Sequence, residues 1–160
     1  MKQLSLILLS FLFISCNNEL NKPVKDDTII TEKIDITAQA DSLKQLGYNV
    51  FVYSEDDTEF LMQEYFMVQL LSGDNDSIPK VERDRLQKEH LKHLSRMYDE
   101  GYASLIGPMN NGNEWRGIVV YNTKNIAIAD SLARLDPFVK SGALKVKTTG
   151  WWTQKGGQLR

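Results

Sequence analysis

Apolar residues follow two different periods along this chain, and the places where one gives way to the other divide it into elements. Leu4 to Ile14 is a largely apolar run of about 11 residues behind Lys2, short of the roughly 20 needed to span a bilayer. From Asn17 to Ala40 neither period is sustained, which predicts a flexible tether. Asp41 to Gly47 reads as a short helix stopped by glycine, Tyr48 to Tyr53 as a β-branched and aromatic strand, Asp56 and Asp57 as a turn, and Thr58 to Tyr65 as a second strand. Tyr65 to Leu71 is then continuously apolar up to Ser72-Gly73-Asp74-Asn75, as in a central strand.

A charged helix is predicted from Pro79 to Glu100, with Gly101 just past its end. At 100° per residue, Leu86, His90, Leu94 and Met97 share an arc of about 80°. Leu91 and Tyr98 widen that arc on one side, Lys88, Glu89 and Lys92 point away, and His93 lies at its edge. Tyr102 to Ile106 and Trp115 to Tyr121 read as strands joined through Asn110–Asn113. A second helix carries Ile126, Ala129, Leu132 and Ala133; it has Asn122-Thr123 to cap it and must end before Pro137. Leu144 to Thr149 alternates as a closing strand. The order β-α-β-β-α-β predicts an α+β, ferredoxin-like subunit with an antiparallel sheet and both helices on one face. The other face would expose an apolar patch, so a second copy is expected to cover it, giving a homodimer.

Composition adds exclusions. The 160 residues carry 19 Lys plus Arg against 21 Asp plus Glu, which offers no electrostatic basis for binding nucleic acid. One cysteine cannot form an internal disulfide, and with two histidines it leaves little for a structural zinc site. The position of that cysteine is informative. A basic start, a short apolar run and a small residue before the cut describe a signal peptide over 1–15. Phe13-Ile14-Ser15-Cys16 resembles the lipobox of bacterial lipoproteins, which implies acylation of Cys16, a tether over 16–40, and a membrane contact made by lipid in the cell envelope.

Two residues stand out chemically. His90 sits on an apolar helix face, where it is either a satisfied core histidine or a proton-transfer group. Asp136 precedes Pro137 as a helix cap does, and a cap can also face a cleft. His90 and His93 are three apart and would share a metal only with added carboxylates such as Asp136. Gly107-Pro108 marks a strand-ending turn or a cleft wall. Trp151 and Trp152 suit either a sheet edge or an aromatic shelf for a ligand. No glycine loop leads into a helix as phosphate binding requires.

Gln87-Lys88-Glu89-His90-Leu91-Lys92-His93-Leu94, Asp99-Glu100-Gly101, Gly107-Pro108, Gly117-Ile118-Val119-Val120, Asp136-Pro137-Phe138-Val139, Gly142, Leu144 and the late tryptophans together resemble the YCII-related domains, over Tyr65 to Trp152. The extension 41–64 would precede this domain and the tail 153–160 follow it. The resemblance implies a dimeric α+β barrel of ferredoxin-like subunits, with His90 and Asp136 as an active-site dyad in a cleft. The family in turn is similar to muconolactone isomerases and a dehydrochlorinase, which implies cofactor-independent proton abstraction next to a carbonyl. Two readings follow: a lipid-anchored small-molecule binding module in which the dyad is part of the fold, or an acid/base enzyme using it.

Overall fold

In the computed structural model, which describes residues 35–110 and 114–159, one long strand organises the sheet. The elements run α1 (Ile36–Gln45), β1 (Val50–Glu55), β2 (Thr58–Ser72), α2 (Lys80–Asp99), β3 (Ala103–Pro108), β4 (Trp115–Tyr121), α3 (Ile126–Arg134), α4 (Pro137–Lys140) and β5 (Leu144–Gln154). All strand pairings are antiparallel. β5 lies along one edge of β2; β1 and β4 lie one after the other along its other edge, and β3 follows β4. The domain is therefore α+β, and its β2-α2-β3-β4-α3-β5 path is consistent with the ferredoxin-like arrangement. The signal peptide, Cys16, most of the tether and the centre of the Asn110–Asn113 turn lie outside the described residues. No helix among the described residues is long and apolar enough to cross a membrane.

β2 replaces the two strands expected over 58–65 and 65–71. Its first half buries Leu61, Gln63 and Tyr65, whereas its second half buries Phe66, Val68 and Leu70. Because side chains alternate across a strand, the buried face changes at Tyr65–Phe66 without a break in the chain. α1 packs against β1 and this first half. There the fully buried Gln63 amide donates to Asn122 Oδ1 (2.6 Å) and accepts from Lys155 Nζ (2.9 Å). The hairpin into β2 turns at Asp56 and Asp57, both left-handed at φ 47° and 60°, as a two-residue type I′ loop requires.

On the second half, Phe66, Val68 and Leu70 form one core with Leu94 and Met97 of α2, Ala129 and Ala133 of α3, and Val119 and Tyr121 of β4. Both long helices thus cover one sheet face, and each large apolar side chain buried there contributes about 1.5–3 kcal/mol. The opposite face carries Met67, Gln69 and Leu71, with Ile118 and Val120 on one side and Lys145, Lys147 and Thr149 on the other. The broad apolar patch expected from the strands is thus a narrower strip edged by lysines. Alternation sends half of each apolar run into the helix-covered core.

Several boundaries also differ from expectation. α1 starts at Ile36 rather than Asp41, because the Asp35 carboxylate accepts from Ala38 N (2.9 Å) and buries Ala40 one turn on. α3 is capped by Asn125, which accepts from Ile128 N (3.0 Å), and not by Asn122-Thr123. β5 extends through Trp151 and Trp152 to Gln154 because β2 is long enough to pair with all of it. On α2, Leu91 and Tyr98 are exposed whereas His93 is buried, and Leu94 and Met97 pack with Ala129 and Ala133 of α3.

Candidate functional site

α2 carries both histidines, and their surroundings differ. His90 Nδ1 lies 2.6 Å from Asp136 Oδ2, across 46 residues of sequence, with both side chains buried. The aspartate is held from its other oxygen. Asp136 is the N-cap of α4, and Oδ1 accepts from Phe138 N at 2.8 Å. Pro137 at the first helical position makes that cap favourable, since its fixed φ suits a helix start and it has no N–H to satisfy. Phe138 itself stacks on the His90 ring, with centroids 5.3 Å apart and planes at 21°. The ring is thereby fixed by a carboxylate at one edge and an aromatic face at its side.

A buried carboxylate is costly unless paired and hydrogen-bonded. Asp136, 1% exposed, meets that need with an imidazole N–H and a backbone N–H. Its charge reaches further. It adds to burial, the larger cause, in pushing the Tyr121 phenol well above its ordinary 10. At His93 burial dominates in the other direction and holds the imidazole below the usual 6.5, against the pull of Asp136. His93 Nδ1 accepts from Arg96 Nη2 at 3.3 Å. Its buried Nε2 makes no hydrogen bond of full geometry, although the Leu132 backbone lies close enough to act on the ring.

His90, unlike His93, lines a cleft of about 680 Å³ between α2, α4 and the ends of β2, β3 and β4. Leu70, Leu94, Ile106 and Phe138 supply apolar wall, and Gly107 and Pro108 form one side. With Nδ1–H donated to Asp136, the ring nitrogen left for the cleft is Nε2, which in that tautomer holds a lone pair. The arrangement can take a proton from a molecule in the cleft and stabilise the resulting imidazolium through Asp136.

The structure brings His90 and Asp136 together, and it does not gather the other candidates. His93 faces Arg96 and the core rather than sharing a ligand position with His90, and among the described residues no group of three His, Cys, Asp or Glu is placed to hold a metal. Trp152 packs on Phe51 (centroids 5.1 Å apart) and Trp151 pairs across from Tyr65, so both lie at the β1 end of the sheet and outside the cleft. Sequence reasoning missed Asn75, Arg83, Gln87 and Arg116, which all line it. The signal was present for two of them: positions 83, 87, 90 and 94 form one stripe of a helix.

Fold and site together define a small α+β domain with a buried His–Asp pair on the wall of an apolar cleft. A sequence model of the YCII-related domain matches residues 65–151, more than half of the chain, and the chain belongs to that family. The match begins at Tyr65, in mid-β2, at the point where the buried face changes. α1, β1 and the first half of β2 precede it. No curated protein matches the chain.

Proposed function

We propose that the domain binds a small molecule in the His90 cleft and performs cofactor-independent acid/base chemistry on it, with His90 as the catalytic base and Asp136 as its positioning residue. The observation that carries this reading is the 2.6 Å His90–Asp136 contact on the wall of the cleft. A histidine needed only for packing requires no cavity beside it. Nε2 takes a proton from carbon next to a carbonyl, leaving an enolate and an imidazolium paired with Asp136. Return of that proton to a different carbon completes an isomerisation. Loss of a β leaving group with its electron pair completes an elimination, and the imidazolium proton then passes to solvent.

The test is deuterium incorporation from heavy water into ketones, lactones and β-halogenated acids, followed by NMR. Wild-type protein should catalyse exchange in at least one class, His90→Gln should abolish it, and Asp136→Asn should reduce it. Binding without exchange would identify a ligand-binding module in which the pair holds α2 to α4.

The same reading places the domain in the cell envelope, on a lipid attached at Cys16, and as a homodimer. Support for the anchor is the Phe13-Ile14-Ser15-Cys16 segment behind a short apolar run. Support for the dimer is the family resemblance and the half-buried Met67 and Ile118 on the face that the long helices leave uncovered. Cys16→Ser should move the protein from the membrane to the soluble fraction, and light scattering should give twice the chain mass.

A further inference from the structure

The charges of α2 are used in two ways. On its outward surface they pair along the helix: Lys80 with Asp84 (2.6 Å), Arg85 with Glu82 (2.7 Å) and Lys92 with Glu89 (3.2 Å). Arg83 belongs to no such pair among the described residues, and it lines the cleft with Gln87 and His90. These three occupy one stripe, at spacings of four and three. Arg83 and His90 are seven residues apart, or roughly 10 Å along the axis. Arg116 also lines the cleft and Asp76 is the acidic residue lining it, while the Asp136 carboxylate is engaged by His90 and the Phe138 N–H.

We infer that the cleft takes elongated carboxylic acids, with the ligand carboxylate on the Arg83 guanidinium and its acidic C–H about two helical turns away at His90. The inference rests on the reading of the His90 cleft as a small-molecule site, and it adds the substrate class. A guanidinium presents a planar fork of N–H donors that matches a carboxylate. The apolar walls between the two ends suit a hydrocarbon chain, and Gln87, between them on the stripe, can hydrogen-bond a carbonyl oxygen. Specificity for acids over neutral analogues then comes from Arg83, while reactivity comes from His90.

Levulinate and its methyl ester are the probes, because both carry protons next to a ketone and differ in the carboxylate. Affinity is read from chemical-shift titration and proton abstraction from deuterium exchange. Wild-type protein should bind the acid about tenfold more tightly than the ester, the factor expected of one charge-assisted contact. Arg83→Gln should remove that preference and leave ester binding unchanged. Arg83→Lys should retain part of it, and Lys88→Gln, an equal charge change at an exposed position outside the cleft, should retain all of it. His90→Gln should keep the preference and lose exchange. Equal affinity for acid and ester, a preference that survives Arg83→Gln, or no saturable binding of either probe would each overturn the inference. An Arg83-dependent preference without His90-dependent exchange would uphold it and overturn the catalytic reading instead.

Discussion

His90 and His93 stand one helical turn apart, are both buried, and differ in what surrounds the ring. His93 is enclosed between α2 and α3, with a poorly satisfied Nε2 and an imidazole that burial keeps neutral. His90 has a carboxylate at one nitrogen, an aromatic ring on its face, and a cleft beside it. The comparison separates burial from function. Fractional exposure does not distinguish the two residues; the partner on Nδ1 and the space beside the ring do. The difference is made by α4, a four-residue helix whose cap is Asp136.

The largest break in that contrast is Asp136→Ala, which removes the partner of His90 and the cap of α4 together. A loss of about 3 kcal/mol in urea unfolding is expected, in the range for breaking a buried pair. Asp136→Asn should cost less, since an amide oxygen can still accept from Phe138 N. Next is Gly73→Ala at the cleft wall. Gly73 N donates to Ala143 O at 2.9 Å, and an added Cβ would fall 1.9 Å from Gly142 O. That backbone clash must push the α4–β5 turn off β2, at about 2 kcal/mol, while the core around His93 stays packed in near-ultraviolet circular dichroism.

The His93 side of the comparison is sharpened by pH. Its folded imidazole is held below the usual 6.5, so below that value the unfolded chain binds the proton first. The stabilisation is fully present above pH about 6.5 and is lost as pH falls toward the folded value. Denaturation midpoints should decline over that window, and His93→Gln should flatten the decline. The smallest effect is expected on the outward face: Lys92→Ala breaks an exposed pair with Glu89 and should change stability by less than about 0.5 kcal/mol.

Most of the element order was legible because each element carries its own local period, as the run from Leu86 to Met97 illustrates. The joins were harder. Leu61, Gln63 and Tyr65 alternate in one phase and Phe66, Val68 and Leu70 in the other, so the linear pattern reads as two strands, whereas helices on opposite faces make one. Asp35 was passed over as a cap because the polar stretch before it hides the start of α1. For the site, His90 was marked by its apolar helix face, but its pairing with Asp136 came from family resemblance; 46 residues separate them and neither local pattern refers to the other. Arg83 drew no reading because it lies in a run of charged residues, Glu82 to Arg85. It shares the helical stripe of Gln87 and His90, and the position of the cleft gives that stripe its meaning.

The most direct test of the His90–Asp136 arrangement is which ring nitrogen carries the proton in each histidine. Long-range ¹H–¹⁵N NMR correlation at pH 8, with His93→Gln for assignment, reports this for both rings at once. His90 should be the Nδ1–H tautomer, with an unprotonated Nε2 whose resonance moves when levulinate is added. His93, accepting from Arg96 at Nδ1, should carry its proton on Nε2. A proton found on Nε2 of His90 would contradict the account, because the nitrogen facing the cleft would then have no lone pair with which to act as a base.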